Sequence, residues 1–384
     1  MRAAILLLAA LTIPAQAQWA IQTPTTADLR GIDNVGKGVA WASGTNGTVL
    51  RTEDAGYLWQ TCTIPPGAEH LDFRGIQAFD ANTAIVMSSG TGDQSRLYKT
   101  TDGCQTWKLV FTNPDKDGFW DAISFTSELN NTHHGVLIGD PVDGNAVIYL
   151  SFGAGEDWRR WGRSHNSKLG TCGEHASHMG KNESLFAASN EALIVGQHWD
   201  ARFLFVTGGS ASAHVKVTDF MDFDGEPCWS YFDSASVPVG SKTDSSGAFA
   251  VATNRWNSNF PETLVIVGGD YKKPNEIQGT AAYAEVRTGF RPFSPVLNVV
   301  AASTPPHGFR SAVAYDPKTK TWITVGPNGT DISTDDGRNW RALHPASNEA
   351  SDADQHWNAL SLPYAVGPHG RIGILNPSAL KPQP

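Results

Sequence analysis

An eight-residue pattern recurs along this chain with constant internal spacing. In "STDDGRNW", residues 333 to 340, a hydroxyl residue, an aspartate, a glycine and a tryptophan occupy positions one, three, five and eight. Residues 52 to 59, "TEDAGYLW", repeat all four, and residues 100 to 107, "TTDGCQTW", place Cys104 where the glycine belongs. A degenerate copy, "SFGAGEDW", follows at 151 to 158. Such recurrence points to a fold that is built from repeated units.

The chemistry of the octapeptide predicts a tight turn. Ser, Thr and Asp side chains can bond nearby backbone groups, Gly permits a positive φ, and Trp supplies an apolar anchor. We interpret the pattern as a structural corner between two strands, and a carbohydrate-contacting or metal-holding role is the less favoured alternative. The residues to which this structural role is assigned are Thr52, Asp54, Gly56, Trp59, Thr100, Asp102, Trp107, Ser333, Asp335, Gly337 and Trp340.

Other features recur in step with the octapeptides, two of which lie 48 residues apart from Asp54 to Asp102. Seven apolar runs open the units, at 29–32, 73–76, 120–123, 185–189, 247–252, 309–315 and 357–360, and each precedes a second run that ends at or beside glycine. Such turn-bounded runs indicate strands, and a repeat of about 40 to 50 residues with four strands is typical of a propeller blade. The predicted fold is an all-β, seven-bladed β-propeller, whose ring is closed by "QWAIQT" (18–23) as the missing strand of the last blade.

The first 17 residues have the pattern of a secretory signal peptide, with an apolar run from Ala3 to Ile13 and a small-residue cleavage site at Ala15-Gln16-Ala17. That run is shorter than the about 20 residues that a membrane span requires. We expect residues 18–384 to form a single propeller domain, secreted or periplasmic and without a membrane span. The formal charge of −9 and the lack of a basic run argue against nucleic acid as a partner.

Four cysteines are too few for a disulfide framework, but in an oxidising compartment they could form two bridges. Neighbours in sequence are the expected pairs, Cys62 with Cys104 and Cys172 with Cys228.

One segment, "CGEHASHMGKNE" (172–183), invites a metal interpretation through Glu174, His175 and His178. No third ligand at a familiar spacing accompanies the two histidines. We therefore predict no metal and no cofactor, and interpret the segment as a polar loop or rim between blades three and four.

Candidate functional residues follow from the alternation of strand directions within a blade. The starts of first strands and the ends of second strands meet on the face opposite the octapeptides, which we call the mouth face. Polar residues at these positions are Arg30, Arg74, Asp121, Glu183, Arg310 and Asn358 near first-strand starts, and Asp140, Asp270, Asn328 and His369 at second-strand ends. They can pair with one another and close the channel, or form a ligand site, and their spacing does not separate the two.

Several of these stretches resemble a known family. The segments "GTNGTVLRTEDAGYLW", "GVLIGDPVDG", "VGGDYKKP", "FRSAVAYDP" and "VGPNGTDISTDDGRNW" are similar to secreted bacterial propellers related to the photosystem II stability/assembly factor family, and the octapeptides resemble the Asp boxes of bacterial neuraminidase repeats. The resemblance implies an extracytoplasmic propeller that binds another protein. It departs in blades four and five, where 206–215 and 281–290 lack the octapeptide.

The sialidase relationship implies an alternative, a glycoside hydrolase. Arg30, Arg74 and Arg310 could clamp a substrate carboxylate, because a guanidinium fork matches a carboxylate bidentately. Asp121 or Asp140 could then be the acid and Tyr271 the nucleophile. The Phe/Tyr-Arg-Ile-Pro motif of that family is absent, since "FRGI" stands in its place. The favoured interpretation is a non-enzymatic module that presents Arg30, Arg74, Asp121, Asp140, Glu183, Asp270, Arg310 and Asn358 to a partner protein or to an anionic or glycan ligand.

Overall fold

The computed structural model describes residues 18–126, 133–161, 166–167, 170–171, 179–196, 203–223, 226–255, 262–288, 295–345 and 349–380. Its strands form seven blades of four antiparallel strands each, which confirms the predicted fold. Among the described residues no helix is both long and apolar enough to cross a membrane.

The strands of each blade follow one another along the chain from the axis outward. Blade 1 comprises Leu29–Gly36, Val39–Gly44, Val49–Thr52 and Gln60–Thr61, blade 2 comprises Phe73–Ala78, Ala84–Ser88, Arg96–Thr100 and Lys108–Thr112, and blade 3 comprises Trp120–Phe125, Gly135–Val142, Asn145–Ser151 and Arg159–Arg160. Blade 4 comprises Leu193–Val195, Phe203–Val206, Ala213–Phe223 and Glu226–Val237, blade 5 comprises Ser246–Thr253, Thr263–Asp270, Ala281–Thr288 and Pro295–Ala301, and blade 6 comprises Ala312–Asp316, Thr321–Gly326, Gly329–Ser333 and Arg341–Ala342.

Blade 7 takes its strands from both ends of the chain. Ala359–Ser361, Tyr364–Val366 and Ile372–Leu375 are joined by Trp19–Gln22 as the outermost strand. Short strands Glu183–Ser184 and Gly208–Gly209 extend the sheet of blade 5, and Asn166–Ser167 pairs with Gly170–Thr171. Single turns of 3₁₀ helix are formed by Gly92–Gln94, Asn190–Ala192 and Pro377–Leu380.

The core lies between neighbouring blades, so inner strands are buried on both faces. All five residues of Ala84–Ser88 are buried for this reason. Between blades 1 and 2, Trp41, Phe73, Tyr98 and Trp107 pack into one cluster. Double-sided burial explains why the second strand of a blade reads as a continuous apolar run rather than as an alternating one.

The closing strand is held by its first residue. Trp19 pairs with Leu375, is 2% exposed, and donates its indole N–H to Asp354 Oδ1 at 3.0 Å. Its ring centroid lies 4.9 Å from that of Trp357. This strand covers an edge of the last sheet that would otherwise offer unpaired backbone groups. The prediction that "QWAIQT" closes the ring is confirmed.

Replacing Trp19 by Ala is expected to lower the free energy of unfolding by about 3 kcal/mol, because a large buried side chain is removed from a closed interface. Ile21→Ala on the same strand is the matched control, since Ile21 is 38% exposed and should cost less than about 1 kcal/mol. Urea unfolding followed by circular dichroism measures both. Equal losses in the two variants would contradict the closing role of Trp19.

Blade 4 corrects one prediction. Residues 185–189, expected to be its first strand, lie outside the blade, and Leu193–Val195 from the expected second run is its first strand instead. Residues 185–192 enter the axial channel, and we call them the axial plug. Asn190 Nδ2 donates to Ile76 O at 2.7 Å, and Asn190 Oδ1 accepts from Ile123 N at 3.3 Å. The first strands leave one edge unpaired at the axis, and the plug satisfies part of that edge.

The plug crosses the axis toward several blades. Ser189 Oγ lies 3.4 Å from Ser311 O in blade 6, and Leu360 N of blade 7 donates to Glu191 Oε1 at 3.2 Å. At its start, Phe186 stacks on Phe249 of blade 5 with ring centroids 4.0 Å apart. The plug therefore ties together blades that are distant in sequence.

The octapeptides form the hairpins between third and fourth strands. Thr52 Oγ1 donates to Asp54 Oδ1 at 2.8 Å and accepts from Gly56 N at 3.1 Å, while Asp54 Oδ1 accepts from Leu58 N at 3.0 Å. The copies that begin at residues 100 and 333 repeat these bonds. Positions four and five have a positive φ, 61° at Ala55 and 85° at Gly56. In the degenerate copy Asp157 replaces the missing aspartate and accepts from Gly153 N at 2.8 Å.

A disulfide joins Cys62 to Cys104, which confirms this expected pair. Cys62 follows the last strand of blade 1, and Cys104 lies in the octapeptide of blade 2, so the bond links two blades. Of the other expected pair, Cys172 and the side chain of Cys228 lie outside what the structure describes.

Candidate functional site

Two arginines of neighbouring blades meet around one carboxylate on the mouth face. Arg74 Nε donates to Asp72 Oδ2 at 2.8 Å, and Arg30 Nε lies 3.9 Å from Asp72 Oδ1. Arg30 Nε itself has no hydrogen-bond partner. About a third of each arginine side chain is exposed, 33% for Arg30 and 31% for Arg74. Two cations therefore share one anion at a surface that a ligand can reach.

Beneath them lies a pair of carboxyl groups from blade 3. Asp121 is 1% exposed, and its Oδ2 has no hydrogen-bond partner. Burial, together with the nearby charge of Asp140, raises the pKa of Asp121 well above its usual value, and Arg74 opposes this only in part. Burial also raises the pKa of Asp140, which accepts from Leu185 N of the plug at 2.9 Å. Both groups are therefore biased toward the neutral acid.

The plug connects this carboxyl pair to the arginines. Arg74 Nη1 donates to Ala187 O at 3.3 Å, and the backbone of Ala187 also lowers the pKa of Asp121 by hydrogen bonding. Leu185 and Ala187 are themselves buried. The plug thus lines the mouth and contacts both Arg74 and Asp121.

Arg310 does not join the other two arginines. It is fully buried, with its guanidinium against Asp331 and with Asn328 and His307 around it. Burial acts to raise the pKa of Asp331, but the hydrogen bond from His307 and the charge of Arg310 lower it overall. The expected three-arginine clamp is therefore not assembled, because Arg310 is used inside blade 6.

The remaining predicted residues lie apart and are engaged by their own surroundings. Glu183 accepts from Thr207 Oγ1 at 2.5 Å and lies 3.2 Å from Lys216 Nζ. Burial acts to raise its pKa, but hydrogen bonds from His214 and Thr207 and the charge of Lys216 outweigh it and hold the pKa at about 2. Asn358 Nδ2 donates to Leu29 O at 2.8 Å, which joins blades 7 and 1.

Blade 5 contributes Asp270 and Tyr271. Asp270 accepts from Ser245 Oγ at 2.7 Å and from Lys272 N at 3.0 Å, so it organises a turn. Tyr271 is 48% exposed and meets Phe249 edge-on, with centroids 6.2 Å apart. None of the hydrogen bonds described for Asp121 or Asp140 involves Tyr271, so the expected catalytic trio is not brought together by them.

Two acidic residues that the sequence pattern did not indicate lie on the axis itself. Asp33 of blade 1 and Glu191 of the plug line an axial cavity of about 390 Å³, together with Gln77 and Asn190. Burial raises the pKa of Asp33 to about 6 and that of Glu191 to about 7, and for Glu191 the charge of Asp33 adds to the effect. Because 185–189 was predicted as the first strand, Glu191 fell in the turn after it and was not considered as an axial residue. The signal that could have indicated it was the polar pair Asn190-Glu191 directly before an apolar run.

For metals, the part of the chain that the structure describes contains no group of three or more His, Cys, Asp or Glu residues placed to hold an ion. Glu174, His175 and His178 lie outside the described residues.

Comparisons with known proteins place the chain by shape. No protein-family model matches the sequence, and no curated protein matches it significantly. Among solved structures, YCF48 bound to D1 peptide is similar with a TM-score of 0.57 and 15% identity, covering 95% of this chain and 99% of that one. YCF48 from Cyanidioschyzon merolae gives a TM-score of 0.59 at 15% identity, covering 94% and 100%. The WD40 β-propeller domain of Doa1 gives 0.54 at 11%, covering 95% and 98%. At such identities the likeness establishes a fold, and the fold of this chain is the seven-bladed β-propeller.

Proposed function

We propose that this protein is an extracytoplasmic, non-enzymatic propeller that binds another protein through its mouth face, with Arg30 and Arg74 receiving a carboxylate of the partner. The observation that carries the proposal is the sharing of Asp72 by two partly exposed arginines. Asp72 is the one carboxylate within 4 Å of either guanidinium among the described contacts. Arginine is suited to the role, because its planar fork pairs with a carboxylate through two parallel bonds.

The surroundings of the arginines suit a binding surface better than a reaction site. Asp72 and the plug carbonyl of Ala187 hold Arg74 in place before any ligand arrives. Such preorganisation reduces the entropy cost of binding. The buried plug residues Leu185 and Ala187 lie against the arginine cluster, so a partner segment would bind over them.

Two further lines of support concern the partner and the compartment. A solved propeller of similar shape is described as bound to D1 peptide, which supports a protein segment as the ligand. The Cys62–Cys104 bond supports an oxidising compartment, in agreement with the signal-peptide pattern of residues 1–17. We also propose that the octapeptides are Asp boxes and that the protein is secreted or periplasmic.

The test is capture of partners from a native envelope extract by the purified protein. Reversing both charges, in Arg30→Glu with Arg74→Glu, is expected to weaken capture of a specific partner at least about tenfold, because each buried charge-assisted bond is worth about 1.5 to 3 kcal/mol. Arg159→Glu with Arg341→Glu is the matched control, since both arginines are exposed on the outer strands of blades 3 and 6. Equal capture by the two charge-reversed proteins would overturn the assignment of the surface.

A second candidate, glycoside hydrolysis, is favoured by one observation, the adjacent carboxyl groups of Asp121 and Asp140 with raised pKa values. Against it, Asp121 is only 1% exposed, whereas the two-carboxylate mechanism requires both groups to reach the substrate. Turnover of chromogenic glycosides or sialosides, lost in Asp140→Asn, would establish the hydrolase. We expect none.

A further inference from the structure

The axial cavity lies at the ends of the first strands, toward the octapeptide face and away from the mouth. Every blade contributes at least one larger aliphatic residue to its wall, and we call Ile32, Ile76, Ile123, Ile194, Val251, Val313 and Leu360 the aliphatic ring. Its volume of about 390 Å³ falls in the range of small-molecule pockets, which are mostly apolar with a few placed polar groups. Nothing in the mouth-face proposal uses this cavity.

One carboxylate oxygen of the cavity has no hydrogen-bond partner, although side chains that can donate also line the wall. Glu191 Oε1 accepts from Leu360 N at 3.2 Å, but its Oε2 is buried without a hydrogen-bond partner. Asp33 uses a single oxygen, Oδ2, to accept from Gln77 Nε2 at 2.8 Å and from Ala78 N at 2.7 Å. A buried carboxylate oxygen left unpaired is costly, so a ligand that donates to it gains affinity.

The charge of the cavity is one-sided. Asp33 from blade 1, Glu191 from the plug and Tyr315 from blade 6 are the titratable residues that line it, and no Lys, Arg or His is among its described lining residues. Burial raises the pKa of all three. The cavity therefore destabilises the ionised form of its carboxyl groups, and a bound cation would offset that destabilisation.

We propose that the axial cavity binds a small organic ammonium ion, with the –NH₃⁺ group held by Glu191 and Asp33 and the alkyl part against the seven-residue aliphatic ring. An ammonium group supplies three donors, which matches the orphaned Oε2 and the second carboxyl group. A hydrated metal ion would leave the aliphatic ring without a contact, whereas a short alkyl chain fills it. An anion would meet two carboxyl groups and no basic side chain.

The experiment is titration calorimetry of the full-length mature protein at pH 8 with butylammonium and with 1,4-diaminobutane. 1-Butanol is the neutral probe of similar shape. We expect the amines to bind and the alcohol to bind at least about tenfold more weakly, because the charge-assisted bond is lost. Affinity for the amines should fall as the pH is lowered to 5.5, since protons then compete for both carboxyl groups.

Variants assign the binding to the cavity. Glu191→Gln and Asp33→Asn are each expected to weaken amine binding by about tenfold to a hundredfold, while the amide oxygens can still accept the bonds from Leu360 and Gln77. Glu69→Gln, an exposed carboxylate that changes net charge equally, should leave the affinity unchanged. Circular dichroism checks that each variant is folded. Absence of heat at millimolar amine, equal binding of 1-butanol, or an unchanged affinity in Glu191→Gln would each overturn the proposal, and none of these outcomes bears on the mouth face.

Discussion

Between pH 4 and pH 8 the wild-type protein is expected to lose stability relative to a variant that carries Asp33→Asn and Glu191→Gln. Both carboxyl groups have a folded-state pKa above the unfolded value, about 6 for Asp33 and about 7 for Glu191. The folded state therefore keeps protons that the unfolded state has already released, so stability falls as the pH rises through this interval. Each displacement is worth about 3 kcal/mol, and the amides stay neutral throughout.

The measurement is urea unfolding of both proteins at intervals from pH 4 to pH 8. The difference in unfolding free energy between them should grow by several kcal/mol across that range and level off above about pH 7. Groups with lowered pKa values, such as Glu183 at about 2, act in the opposite direction below pH 5 but are common to both proteins. Glu69→Gln is the control for net charge. Parallel pH profiles would show that the two carboxyl groups are solvated in the folded protein and not buried.

Loss of the Cys62–Cys104 bond is expected to lower the free energy of unfolding by about 4 kcal/mol, from the chain entropy of a loop of this length. The two cysteines are 42 residues apart and belong to different blades. Reduction of the wild-type protein and the double variant Cys62→Ser with Cys104→Ser should give similar losses. Denaturant unfolding with and without reductant measures both, and coincident curves would contradict the stabilising role of the bond.

The backbone conformation at Cys104 leads to a further prediction for the same pair of cysteines. Cys104 has a φ of 63° and occupies the position that is Gly56 and Gly337 in the other copies. A left-handed backbone costs a residue with a side chain about 1 to 2 kcal/mol relative to glycine. Cys62→Ser with Cys104→Gly should therefore be about 1 kcal/mol more stable than the double serine variant. A less stable glycine variant would show that the side chain at position 104 contributes packing that outweighs backbone strain.

Features that depend on short stretches of sequence were predictable. The octapeptide corner is made by bonds between residues two and four apart, from Thr52 to Asp54 and Gly56, so its residues suffice to specify it. The strand runs, their sevenfold recurrence and the closing segment that begins near Trp19 follow from hydrophobic pattern and turn chemistry. The Cys62–Cys104 pair followed from proximity along the chain.

Only the tertiary structure decided what the charged residues do. Arg74 pairs with Asp72 and stays partly exposed. Arg310 pairs with Asp331, which lies on another strand of the same blade, and is fully buried. The strand pattern gives both arginines equivalent positions. Equivalence of position does not determine burial, because the partner of Arg74 lies two residues away while that of Arg310 lies 21 residues away on another strand.

The axial plug is the clearest such case. Asn190 reaches Ile76 across 114 residues, and Glu191 meets Leu360 across 169. Sequence by itself determined the seven repeated sheets and the corners between their strands, since those interactions are local. The tertiary structure alone placed residues 185–192 on the axis and Glu191 in a cavity, because the unpaired inner edges that they satisfy exist only once the ring has closed.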